Sequence, residues 1–387
     1  MKIDRTSLRR ELLRRLRAHR AVALVGARQV GKTTLAREVA RQWKGKTHHF
    51  DLEDPVDVQR LADPGLALRP LEGLVVLDEI QRAPEIFPLL RVLVDRPRPA
   101  TRFLVVGSAS PELLHQSSES LAGRISYLEM DGFVLEEVGR HHWEKLWVRG
   151  GFPKSFLARS ASQSVEWRRD FIRSFLERDI PMLGFSTSAT TLRRFWTMVA
   201  HYHGQLWSGA ELARALGCSE PSARRYLDLL TSTFVLRQLQ PFHANLRKRQ
   251  VKSPKVYLRD SGLLHTLLGI DSREALDVHP KIGASWEGFL IEQILRTMRT
   301  PSEQVFFWAT HGGAELDLLI IQSGRRVGFE FKRTESPSLT PSMRSALKDL
   351  DLHSLTVVHG GRTNYELAPR VRAVAVPDFL DQLPRRR

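Results

Sequence analysis

Residues 26–34 read Gly-Ala-Arg-Gln-Val-Gly-Lys-Thr-Thr, a full G-x-x-x-x-G-K-[ST] pattern. The apolar run Ala21–Val25 precedes it, and Leu35–Ala40, with helical spacing, follows it. A strand, a glycine loop and a helix in that order constrain the chain to a sheet covered by helices. Gly26 and Gly31 let the backbone curl so that its N–H groups point inward at phosphate oxygens, and the helix N-terminus adds partial positive charge. The expected nucleotide-binding residues are therefore Gly26, Ala27, Arg28, Gln29, Val30, Gly31, Lys32, Thr33 and Thr34. Lys32 is placed to reach the β- and γ-phosphates and the Thr33 hydroxyl to ligate Mg²⁺, which makes ATP and Mg²⁺ the expected cofactors. The alternative, a glycine turn with a chance lysine, does not account for the flanking strand and helix.

Leu74–Asp78 is an apolar strand ending in two acids, Asp78 and Glu79. In P-loop NTPases an acid at such a tip holds Mg²⁺, the role expected of Asp78; Glu79 is placed to polarise an attacking water. A helix N-cap is the other use of such a pair. A third strand, Arg102–Gly107, ends at Ser108, which is placed to sense the γ-phosphate or to make an ordinary turn. Arg124 follows in Leu121-Ala-Gly-Arg124; it is either a nucleotide-reaching arginine, acting on its own or a neighbour's site, or a surface residue.

The 387 residues suffice for two to four domains. No apolar stretch approaches the ~20 residues of a membrane span, and no apolar leader is visible near the start, so no membrane association and a cytoplasmic location are expected. The lone Cys218 excludes an intramolecular disulfide and a cysteine-cluster metal site. Lys plus Arg number 59 against 43 acids, a net charge of +16. The excess is clustered: residues 1–20 hold eight basic and two acidic side chains, and residues 247–259 hold six basic and no acidic ones. DNA is the partner this favours over a merely solvated arginine-rich surface.

Leu8, Leu12 and Leu16 predict an amphipathic helix over residues 6–19. Strand–helix alternation then runs to about residue 130. Residues 131–190 read as helical, with Phe171, Phe175 and Leu176 on one face, and are expected to form a lid. In the next segment Phe195, Trp196 and Val199 fit a helix, Ser208-Gly-Ala-Glu211 reads as a capping box, and Glu220-Pro221 opens a third helix. Two strand-like runs, Phe234–Leu239 and Lys255–Leu258, flank a basic loop. This is a winged-helix pattern, with Ser222, Arg224 and Arg225 expected at a groove and Arg247, Lys248, Arg249 and Lys252 expected on phosphates. Winged helices also serve in protein contacts.

From about residue 280 the order is α-β-β-β-α-β: a helix over Gly283–Leu295, strands at Val305–Ala309, Glu315–Ile321 and Val327–Phe331, a helix over Pro341–Leu350, and a strand at Thr356–Val358. Asp317 interrupts the second strand; Glu330 and Lys332 share one face of the third. Asp317 and Glu330 are expected as hard oxygen ligands for Mg²⁺, Lys332 as the stabiliser of developing phosphate charge, and Glu287 as the acid completing the shell. A solvated Glu-x-Lys face is the plainer reading.

Taken together the residues resemble the prokaryotic AAA-type P-loop ATPases with a C-terminal domain of unknown function. The motifs that carry the resemblance are Gly26–Thr34, Leu77–Arg82, Leu121–Arg124, Arg149–Pro153, Glu177–Ile180, Asp260–Leu263 and Gly283-x-x-x-Glu287-x-Phe289. The resemblance implies an α/β chain: an AAA-like P-loop parallel sheet (1–130), a helical lid (131–190), a winged helix-turn-helix (191–270) and a restriction-endonuclease-like α/β domain of PD-(D/E)XK type (275–387). Asp317, Glu330 and Lys332 match that last pattern, with Glu287 as the helix acid; the usual Pro-Asp pair is replaced by Glu315-Leu316-Asp317. The expected function is ATP hydrolysis driving movement or remodelling of DNA, with a tail that either cleaves DNA with Mg²⁺ or binds it as an inactive nuclease fold. The homo-oligomer expected is a ring, such as a hexamer, in which Arg124 or Arg82 acts on a neighbour's nucleotide. A nucleotide-controlled switch and a protein-remodelling ATPase are the rival readings.

Overall fold

β1 (Ala21–Val25) is five apolar residues, every one buried, as suits a strand covered on both faces. The computed structural model describes residues 3–96, 101–110, 121, 123–244 and 250–383. The chain gathers into two units, one of Met1–Gly132, Arg178–Ser186 and Ser232–Val235, the other of Phe133–Glu177, Thr187–Thr231 and Leu236–Arg387. The segment expected as a lid is thus divided: Phe133–Glu177 belongs with the second unit and Arg178–Ser186 with the first. Among the described residues no helix is long and apolar enough to cross a membrane.

In the first unit β1 is joined by β2 (Thr47–Asp51), β3 (Gly73–Asp78), β4 (Thr101–Gly107) and β5 (Ile125–Glu129) in the order β2-β3-β4-β1-β5, every pairing parallel. The helix Thr6–Ala18 buries Leu8, Leu12 and Leu16, as their spacing requires. Val75, Leu77, Phe103 and Val105 meet Ile86, Phe87, Leu90 and Leu93 of the helix Ile86–Val94 on one face of the sheet. Each fully buried side chain of this kind contributes about 1.5–3 kcal/mol. Because β4 lies between β1 and β3, the C-terminal tips of all three strands are neighbours, the usual place for a ligand in an open parallel sheet. Gly26 is required there: a Cβ on it would sit 2.0 Å from the Met130 carbonyl oxygen. Gly31, with φ +100°, precedes the helix Lys32–Gln42 in a conformation that favours glycine.

The second unit is built on a nine-stranded sheet in the order β13-β14-β12-β11-β10-β9-β7-β8-β6. Its strands are β6 (Gln205–Leu206), β7 (Leu236–Pro241), β8 (Lys255–Leu258), β9 (Val305–Ala309), β10 (Glu315–Gln322), β11 (Arg325–Lys332), β12 (Ser354–His359), β13 (Tyr365–Ala368) and β14 (Val371–Ala375). β6, β8 and β7 pair antiparallel; β6 follows the helix Ala189–His201, and β7 and β8 come after the helices Gly209–Leu216 and Glu220–Ser232. β9, β10 and β11 form an antiparallel meander, and β11, β12 and β14 are parallel. The end of β7 pairs with β9 through Gln240 and Pro241, so the hairpin and the C-terminal strands share one sheet. The expected α-β-β-β-α-β order is present, with the helices Ile282–Met298 and Pro341–Asp349. β13, β14 and the helix Val376–Gln382 extend it; β13 has only four residues and no fully buried one, so it carries no alternation to read. The capping box at Ser208 does not form: the Ser208 side chain makes no capping bond. Its intended partner Glu211 instead faces the Tyr202 hydroxyl, which burial and that carboxylate push up to about 12.

Candidate functional site

The loop after β1, the tip of β3 and the tip of β4 converge on one lysine. Lys32 is 4% exposed, and its Nζ donates to the Gly26 carbonyl at 2.9 Å, the Ala27 carbonyl at 2.9 Å and Ser108 Oγ at 3.1 Å. Burial lowers its ammonium to about 8, against the pull of Glu79 and Asp78. Asp78 is 1% exposed; burial raises it, while the Thr33 hydroxyl and the Glu79 N–H, at 3.0 Å, donate to its carboxylate. Thr33 and Asp78 thus place two hard oxygen groups side by side next to the phosphate loop, which fits a divalent cation.

Glu79 sits in the left-handed region, φ 55° and ψ 44°, a conformation that non-glycine residues hold only where surroundings enforce it. Burial raises its carboxylate, and the Gln81 amide donates to it. The same Gln81 side chain accepts from the Ser108 N–H at 3.3 Å. Gln81 therefore ties the tip of β3 to the tip of β4. It was not singled out from the sequence, although it lies inside the Leu77–Arg82 motif.

Val30 is buried and Gln29 exposed within the loop, and Thr34 faces solvent in the first turn of the helix Lys32–Gln42. Arg28 reaches Asp179 and donates to Glu53 at 3.1 Å. Asp179 ends a π-helical turn, Phe175–Asp179, a local irregularity frequent at functional sites. Neither acid was picked out for this role. Arg124 Nε donates to both carboxylate oxygens of Asp95, at 2.8 and 2.9 Å. Arg82 lies 3.6 Å from Glu53.

In the second unit, Ser222 is engaged locally with Ser219 at 2.9 Å. Arg224 and Arg225 are exposed on the helix Glu220–Ser232, with Arg224 3.2 Å from Asp228. Lys252 is exposed; Arg247, Lys248 and Arg249 lie outside the described residues.

The second acidic group is drawn from four elements. Asp317 Oδ2 accepts from the Phe331 N–H at 2.9 Å across β10 and β11. Lys332 Nζ lies 2.8 Å from Glu330 Oε1, while Glu330 Oε2 is buried with no hydrogen-bond partner. Burial holds both carboxyls above their ordinary range, Asp317 far above it, with Glu287 and Glu330 adding to that rise. Glu287 was expected to join Asp317 and Glu330 as a third metal ligand, and the structure places it otherwise. It accepts from the Tyr257 hydroxyl and from Lys255 Nζ at 3.3 Å. Lys255, 5% exposed on β8, also pairs with Glu315. Burial opposes its charge, but Tyr257, Glu287, Asp317 and Glu315 hold the ammonium well above its ordinary range. Among the described residues no group of three or more His, Cys, Asp or Glu side chains is gathered to hold a metal ion. The donor set does not fit a three-carboxylate metal centre, because a lysine already occupies Glu287.

Three family models match the chain: AAA domain over residues 18–139, domain of unknown function DUF8612 over 140–274, and domain of unknown function DUF4143 over 282–379. The chain is 52% identical over 380 residues to uncharacterized proteins of Mycobacterium tuberculosis and Mycobacterium bovis, covering 98% of this chain and 85% of each relative. A Walker-type ATPase of Pyrococcus abyssi is similar in structure, with a TM-score of 0.49 and 15% identity over 69% of this chain and 96% of that one. The chain belongs to the family of these mycobacterial proteins, with an AAA-type P-loop ATPase domain at its N-terminal end.

Proposed function

We propose that the chain hydrolyses ATP and uses the reaction to move or remodel DNA. The observation that carries the ATPase reading is the convergence of Lys32, Thr33, Asp78, Glu79 and Ser108 at three adjacent strand tips. Lys32 exchanges its two carbonyl partners for β- and γ-phosphate oxygens, a swap of neutral acceptors for charged ones. Thr33 and Asp78 would hold Mg²⁺, which when bound neutralises charge on the phosphates. Glu79 orients the attacking water and accepts its proton; burial, by raising the carboxylate, makes it a better base. Ser108 senses the γ-phosphate, and Gln81 keeps Glu79 and Ser108 in register.

DNA is favoured by the three helices followed by a hairpin whose turn is rich in lysine and arginine, and by the outward-facing Arg224 and Arg225. On this reading the helix Glu220–Ser232 enters a groove, while Arg247, Lys248, Arg249 and Lys252 meet phosphates. The C-terminal part is read as a PD-(D/E)XK-like fold that holds DNA through Lys332 and its surroundings; its ion-paired acids argue against cleavage in this state. Assembly into a ring would let Arg124 or Arg82 reach a neighbour's nucleotide.

ATP turnover measured with and without duplex DNA, alongside DNA affinity against salt, tests this. Stimulated turnover and a steep negative salt slope are expected. Turnover indifferent to DNA, with no slope, leaves the second reading, a nucleotide-controlled switch. The observation that favours the switch is the tie from loop residue Arg28 to Asp179 on the π-turn, which a bound nucleotide would compete for.

A further inference from the structure

Lys255 opens the strand-like run Lys255–Leu258, a position with no chemistry legible in the sequence, yet it lies among the acids of the second group. Its ammonium is buried between Glu287 and Glu315, and Asp317 adds to the field that keeps it charged. A buried ammonium among carboxylates supplies the charge balance that a bound cation supplies in a metalloenzyme. Each of the other acids is also partly spoken for: Glu330 by Lys332, Asp317 by the Phe331 N–H, Glu287 by Tyr257. What is left over is one buried carboxylate oxygen, Glu330 Oε2. Lys255 reaches Glu287 and Glu315, not Glu330, so that one oxygen is left without a donor.

We propose that Lys255 is the resident cation of this cluster, held by Glu287 and Glu315 in place of a divalent metal, so that the C-terminal fold does not bind a catalytic metal while Lys255 is seated. The inference rests on reading that fold as nuclease-like. It adds a residue contributed by β8, outside the α-β-β-β-α-β core. β8 begins three residues after Lys252, so the hairpin that leaves Lys252 exposed also delivers the internal ammonium.

The test is a Mn²⁺ titration of the full chain, followed by electron paramagnetic resonance without nucleotide. An Asp78→Asn background removes the carboxylate at the phosphate loop. The parent is expected to show no tight site. Lys255→Gln is expected to gain one, about tenfold tighter or more, because an opposing unit charge has left the cluster. The gain should vanish in Lys255→Gln/Asp317→Asn, and Lys255→Arg should behave as the parent. A tight Mn²⁺ site in the parent, or no gain in Lys255→Gln, overturns the proposal. If Lys255→Gln is unstable, Mn²⁺ should raise its melting temperature; failure to fold with Mn²⁺ present also overturns it. Neither readout uses ATP or DNA. Failure of the ATPase or DNA reading therefore leaves this result standing, and the reverse.

Discussion

Lys32 and Lys255 are both buried lysines beside carboxylates, and their surroundings have opposite consequences. Lys32 rests on two backbone carbonyls and a serine hydroxyl, and burial lowers it to about 8. Lys255 rests on carboxylates and is held above its ordinary range. A lysine on neutral acceptors gives them up readily for phosphate, whereas one bound into an ion-paired cluster would leave buried acids uncompensated by moving. The same residue type thus makes a waiting anion site in the first unit and a self-neutralised cluster in the second.

The comparison breaks most easily at Glu79. Glu79→Gln keeps shape and removes the base, so kcat for ATP should fall about 10²–10⁴-fold with little change in nucleotide affinity. An unchanged kcat would strip the first site of its catalytic meaning. A different buried ion group sharpens the second unit. Glu292, within the helix Ile282–Met298, is engaged by Arg237, Arg259 and Arg296. Burial opposes its charge, but the three arginines bring the carboxyl down to about 2. Because its folded value lies below the unfolded 4.5, its stabilisation is present above pH 4.5 and is lost as pH falls toward 2. Glu292→Gln should cost about 3–5 kcal/mol in denaturant unfolding at neutral pH, by leaving arginines buried without their anion. The gap between parent and variant should narrow below pH 4. The smallest effect concerns Lys32 itself. Phosphate binding needs the ammonium, and its lowered value means that ATP affinity should be flat below pH 8 and weaken above it, at most about tenfold per unit. Calorimetry between pH 7 and 9.5 checks this; affinity flat to pH 9.5 would mean that Lys32 titrates normally.

The nucleotide site was largely legible in the sequence because most of it is contiguous. Gly26–Thr34 is one stretch, a loop running into the helix Lys32–Gln42, and Asp78, Glu79 and Ser108 close strands visible as continuous apolar runs. Glu53 and Asp179 were not legible, because each meets Arg28, distant from them in the chain, and the same holds for the bond from Ser108 to Gln81. Two quoted landmarks proved to serve packing. Asp260 accepts from the Gly151 N–H at 2.7 Å and caps the helix Ser261–Leu267 through the Leu263 N–H at 2.9 Å, joining the Arg149–Pro153 turn to the Asp260–Leu263 motif. The Ser208 box failed because Tyr202, close in sequence but on another element, claims Glu211.

The sequence by itself determined the strand–loop–helix, the alternation of strands and helices, and the face shared by Glu330 and Lys332. These depend on hydrogen bonds and side-chain periods within a few residues. Only the tertiary structure decided what each charged group faces. Side-chain packing brings Lys255 of β8 to Glu287 of the helix Ile282–Met298 and to Glu315 of β10, although β7 and β9 separate β8 from β10 in the sheet, and burial of the ammonium makes the resulting ion pairs obligatory. That placement turned Glu287 from an expected metal ligand into the partner of Lys255.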